Sequence, residues 1–165
     1  MKKLIVILAV LGLIFGLVGT AMATDSDSHQ VTITVSTINE IDVAGGDTPE
    51  PAVTLEIDTA VAGEEPTDSA PDTSTTLKWT TNAASKKITV QINLAYPEVT
   101  LTVEAIGSTA GTPVGVVTLS AVASNFITGM GKTKGSCTLQ YIASATVAAD
   151  PISYVYLVTY TITTS

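Results

Sequence analysis

The chain is 165 residues long with a formal net charge of −8, and all seven of its basic residues are lysine. That length suits one domain with a core of its own, and the acidic balance excludes a nucleic-acid binder, which needs clustered basic charge to meet phosphate. A single cysteine, Cys137, excludes an intrachain disulfide.

Lys2 and Lys3 precede an apolar run from Leu4 to Val18, and small residues lead to Ala21-Met22-Ala23. A positive start, an apolar stretch and an A-x-A site predict a signal peptide over 1–23, cut between Ala23 and Thr24. The competing reading is an uncleaved anchor, since about 20 apolar residues span a bilayer. The abrupt change to "TDSDS" favours cleavage, which would leave 24–165 as a single domain. No cysteine directly follows the apolar run to carry a lipid, and every later apolar stretch is broken by Thr, Ser or charge. The expected location is therefore secreted or cell-surface, extracellular or periplasmic, with membrane contact during export only.

Beyond residue 24 the composition is Thr-rich and β-branched, and apolar residues recur with period two rather than 3.6. "HQVTITVST" sets Val31, Ile33 and Val35 on one face; the phase then slips at Ile38 and Ile41, as at a bulge. "AVTLEIDTA" turns Val53, Leu55 and Ile57 inward. "GEEPTDSAPDTS" (63–74) is rich in Pro and acids and reads as an exposed loop. "TTLKWTTN", with Leu77 and Trp79 inward, and "KKITVQINLAYP", with Ile88, Val90, Ile92 and Leu94 on one face, read as a hairpin closed at Ala83–Ser85. After a turn at Pro97–Glu98, "VTLTVEAIG" places Val99, Leu101 and Val103 inward. "STAGTP" is a turn, and "VGVVTLSAVA" is a strand centred on Val117, Leu119 and Ala121. "NFITGMGKTKG" reads as a Gly-rich connection. "SCTLQYIASATV" aligns Cys137 with Leu139 and Tyr141, which makes Cys137 a small buried hydrophobe. "SYVYLVTYTITTS" ends the chain and, being apolar or aromatic on both faces from Tyr154 to Ile162, reads as a core strand. About eight evenly spaced strands predict an all-β, antiparallel β-sandwich of immunoglobulin-like or Greek-key type.

Few residues offer chemistry. Gly131-Lys132-Thr133 has the end of a phosphate loop, but Phe126 stands where its first glycine is required, and a strand rather than a helix follows. His29 is the only histidine, with no second His or paired Cys to complete a zinc site, and a triad would need a nucleophile and an orienting acid around this one imidazole, so a solvated N-terminal His is expected. Trp79 alternates with Leu77 and reads as core. Twelve of the fifteen acids fall between Asp25 and Asp72, where there is no lysine. Such oxygens suit calcium, but "DVAGGDTPE" lacks the spacing of a tight loop, so weak calcium binding at most is expected. With no catalytic constellation, no cofactor and no metal site in the pattern, the chain is not expected to be an enzyme.

The early strand "HQVTITVST", the preceding signal peptide, the Thr-rich strands and the strand that ends the chain together resemble the small exported all-β subunits of surface fibres, pilin-like proteins of bacterial or archaeal type. The paired cysteines of many chaperone–usher subunits are missing. The resemblance implies a structural subunit of a cell-surface fibre, pilus-like filament or coat that self-associates into a homopolymer through β-strand contacts. In that reading Val31, Ile33 and Val35 are the anchors of the assembly strand. The alternative is a monomeric secreted binding module whose acidic loops take calcium or carbohydrate weakly.

Overall fold

The structure is a computed structural model that describes residues 28–46 and 51–165. The predicted signal peptide, its cleavage point at Ala23 and Thr24, and the acids Asp25, Asp27, Asp47 and Glu50 lie outside the described residues. The chain divides into Met1–Val35 and Ser36–Ser165, and each is described by itself.

In the first unit, residues 28–35 lie in no helix or strand. The strand expected there is therefore not formed within the chain, although the alternation that suggested it is intact. A strand needs a hydrogen-bonded neighbour as well as a pattern.

The second unit is an antiparallel β-sandwich. Its described residues form nine strands and no helix: β1 (Asn39–Gly45), β2 (Asp72–Thr81), β3 (Lys86–Ile92), β4 (Val99–Ile106), β5 (Thr112–Pro113), β6 (Val117–Thr118), β7 (Ser124–Met130), β8 (Thr133–Ala145) and β9 (Val158–Thr164). One sheet runs β1-β2-β8-β4-β6 and the other β5-β7-β3-β9. Alternation dictates which side chains face the other sheet. Leu77, Trp79, Leu101, Val103, Cys137, Leu139 and Tyr141 are buried from the first sheet; Ile88, Val90, Ile92, Phe126, Ile127, Met130 and Tyr160 are buried from the second.

The expected hairpin of β2 with β3 does not exist. β2 pairs with β1 and β8, whereas β3 pairs with β7 and β9. The turn at Ala83–Ser85 is present, but it carries the chain from one sheet to the other. After β1–β2, every connection changes sheet in this way.

The Gly-rich "connection" is also corrected, because β7 supplies Phe126, Ile127 and Met130 to the core. The pairing of β7 with β3 shifts register between Ile88 and Thr89. The bulge turns two consecutive residues, Phe126 and Ile127, inward and so erases the period-two signal. Leu94 and Ala121, expected inward, are exposed. Val53, Leu55 and Ile57 do alternate half-buried with exposed Thr54, Glu56 and Asp58, and Val53 and Leu55 pack on the core, but residues 53–59 are in no ladder. Asp72–Ser74, assigned to the acidic loop, begin β2, and Ser69 within that loop is buried.

The terminal segment is narrower than its sequence suggests. β9 starts at Val158, not Tyr154, and among the described residues it is an edge strand hydrogen-bonded to β3 alone. Its inward row is Val158, Tyr160 and Ile162, whereas Val155 and Leu157 just before it are 73 % and 66 % exposed. Apolar composition on both faces therefore does not make it a strand buried on both faces.

Candidate functional site

Strand edges are one place where this architecture leaves backbone groups unpaired. Four strands flank the two sheets, and two of them, β5 and β6, are only two residues long. β1 and β9 are each seven residues long. They differ in chemistry: β1 carries the exposed acids Glu40 and Asp42, whereas β9 (VTYTITT) has no charge.

β9 is fixed from within. Tyr160 packs on Phe126 with ring centroids 5.3 Å apart. Its hydroxyl lies 2.8 Å from that of Tyr141 on the opposite sheet, so the two tyrosines tie the layers together. Burial pushes the Tyr141 hydroxyl up to about 12, with Asp72 and Cys137 adding to the rise and Tyr160 opposing it. Burial, then the proximity of Tyr141, pushes Tyr160 up as well. N-terminal to β9, the Leu157 N–H donates to Asn93 Oδ1 at 2.8 Å, and the Asn93 N–H donates to the Leu157 carbonyl at 3.1 Å. Tyr96 then stacks edge-on against Tyr154 and Tyr156, at 5.0 and 5.5 Å. At the other end, Lys86 and Lys87 of β3 lie opposite Thr164 and Thr163, and Lys86 Nζ donates to Thr164 Oγ1 at 3.5 Å.

β1 is held at its start by Asn82. The Asn82 side chain accepts from the Ile38 N–H at 2.8 Å and donates through Nδ2 to the Ser36 carbonyl at 2.7 Å. The chain is thus anchored at Ser36–Ile38, directly after the assembly-strand candidates. Val31, Ile33 and Val35 are 68 %, 83 % and 73 % exposed.

The outer face of the first sheet carries an open cleft of about 790 Å³. Register places Asp42 opposite Lys78, and Lys78 opposite Ser136; Glu40, Thr80 and Lys134 form the next row. On the inner face Gly135 receives the Trp79 ring, and a Cβ at Gly135 would stand 2.5 Å from it. Trp79 is buried as core, and its Nε1 has no hydrogen-bond partner among the described residues.

The remaining residues singled out by sequence do not converge. His29 is exposed and belongs to no strand. Gly131 and Lys132 form the turn from β7 to β8, and Thr133 opens β8, so no helix follows the lysine. Among the described residues, no three His, Cys, Asp or Glu side chains are gathered to hold a metal ion. Some of these acids bond locally instead: Glu65 Oε2 accepts from the Val147 N–H, and Asp72 Oδ1, at the start of β2, from the Ser74 N–H and hydroxyl. Cys137 is buried beside Leu77 and Leu139, and burial pushes its thiol up to about 11, the reverse of an activated nucleophile.

Sequence reasoning missed the β9 edge and the two lysines at its end. The Thr–apolar alternation of "VTYTITT" was the available signal, since it marks one buried face and one solvated face. No family model matches the chain, and no curated protein matches it by sequence.

Proposed function

We propose that this chain is an exported structural subunit of a cell-surface fibre, pilus-like filament or coat, and that it self-associates through β-strand contacts. One observation carries the reading. Val31, Ile33 and Val35 keep the alternation of a half-buried strand, yet they are exposed and in no ladder. Exposing three β-branched apolar side chains forgoes about 1.5–3 kcal/mol for each that could be fully buried, and their backbone offers unmade strand bonds. β-Augmentation of another sheet satisfies both needs together. No catalytic step belongs to this reading.

The second reading, a monomeric secreted binding module, draws support from the cleft over Lys78 and Lys134. Its opposed charges, Asp42 across from Lys78, suit a polar ligand. The two readings part on self-association. Sedimentation and negative-stain microscopy of the purified exported protein are expected to show concentration-dependent polymers. Ile33→Asp is expected to give folded monomers with an unchanged circular-dichroism spectrum. A wild-type protein that stays monomeric at every concentration would refute the subunit reading.

A further inference from the structure

We infer that the edge of β9 is the acceptor for residues 29–35 of a second copy, which add to it as an antiparallel strand. The inference rests on the reading of the chain as a self-associating subunit and specifies where and how it does so.

Length, phase and charge lead to the same pairing. β9 offers seven residues that, among the described residues, are bonded on one side only. His29–Val35 is a seven-residue stretch, and aligning it antiparallel places Val31, Ile33 and Val35 opposite Ile162, Tyr160 and Val158. These three form the inward row of β9, and Val158 and Ile162 are still half-exposed, so the incoming apolar row would cover them. Thr32 and Thr34 fall opposite Thr161 and Thr159 on the solvated face, a favourable cross-strand match. A slip of one residue would turn the apolar row to solvent, which fixes the phase.

Charge selects both direction and edge. Asp25 and Asp27 precede the incoming segment in sequence. The antiparallel alignment directs them past the C-terminal end of β9, where Lys86 and Lys87 lie opposite Thr164 and Thr163. The other long edge, β1, presents Glu40 and Asp42 and would repel the same acids. Each copy has one such segment and one such edge. The contact is therefore heterologous and propagates rather than closing as a two-fold dimer.

Oxidative cross-linking of the full chain tests this. Two double variants, Thr34→Cys/Thr159→Cys and Thr32→Cys/Thr161→Cys, both fall at non-hydrogen-bonded pairs, because the Asn93–Leu157 and Ser85–Ser165 bonds turn the backbone groups of Thr159 and Thr161 toward β3, and the narrower non-hydrogen-bonded pair suits a disulfide. At least one of them is expected to give a ladder of covalent oligomers on a non-reducing gel, while the single variants stop at dimers. Thr34→Cys/Asp42→Cys, which reports on β1, is expected to give no ladder. A ladder only through Asp42→Cys, or a cross-link confined to monomers, would overturn the β9 assignment. So would the absence of any ladder from both β9 double variants when the wild-type protein sediments as polymer, although the subunit reading would stand. Monomeric wild-type protein would overturn both.

Discussion

Tyr141 and Tyr160 show how much one buried contact can decide. Each hydroxyl is shielded from water and has the other as its partner at 2.8 Å. Removing one oxygen leaves its partner buried and unsatisfied, whereas removing both leaves an apolar contact of similar shape. Tyr141→Phe is therefore expected to cost about 1–3 kcal/mol in urea unfolding. The Tyr141→Phe/Tyr160→Phe double variant should cost clearly less than the sum of the two single changes. Strict additivity would show that the hydroxyls do not depend on one another. The same pair sets an alkaline limit. Tyrosines in the unfolded chain ionise near ~10, while folded Tyr141 holds its proton up to about 12. The folded state binds more protons in that interval, so this contribution to stability is complete below pH ~10 and is lost as pH rises through the folded value. Circular dichroism followed with tyrosinate absorbance is expected to show unfolding and ionisation of this pair together above pH ~10. Ionisation of both residues in a chain that remains folded would contradict the burial described here.

At the scale of elements, alternation told which face of a strand is buried but not which strand lies beside it. Leu77 and Trp79, Ile88, Val90 and Ile92, Leu101 and Val103, and Cys137, Leu139 and Tyr141 all face inward as their period implied. The partner of β3 was not legible, because a short turn such as Ala83–Ser85 serves equally to close a hairpin or to step between sheets. β7 was hidden for a different reason: its bulge puts Phe126 and Ile127 side by side in the core, and Gly129 and Gly131 imitate a loop. Val31 to Val35 and Val53 to Ile57 carry the strand pattern without a ladder, so side-chain pattern and backbone pairing are separable. The edge position of β9 stayed unread for a related reason, since "SYVYLVTYTITT" is apolar enough on paper to be central. As an edge strand it still matters to the fold. Deleting residues 153–165 removes Tyr160, whose burial is worth about 1.5–3 kcal/mol, and strips one whole flank from β3. Against a total stability of about 5–15 kcal/mol, that loss is expected to abolish the cooperative unfolding transition. A truncated chain that kept the wild-type circular dichroism and melting profile would show that β9 is dispensable.

For the whole molecule, charge and topology set the remaining expectations. The acids crowd into the residues up to Asp72, yet those described are spread over exposed positions or bonded to backbone. Calcium is accordingly expected to bind, if measured calorimetrically, no more tightly than roughly the millimolar range of extracellular modules. Micromolar affinity would shift the balance toward the binding-module reading. The stepping of the chain between sheets has a further consequence, in time rather than space. Lys86 must wait for Thr164, 78 positions later in the chain, before its own strand is flanked on that side, and β2 likewise waits for β8. With so few neighbours in sequence that are also neighbours in a sheet, there is little for a nascent chain to rehearse locally, and the loop-closure entropy falls due before the contacts that offset it. Stopped-flow refolding is expected to take milliseconds to seconds, the range of all-β domains dominated by distant pairings, and microsecond folding would contradict that. A chain so ordered stays open until nearly all of it is present, which leaves a long interval in which β3 lacks its last partner and a strand from another copy can compete for the place.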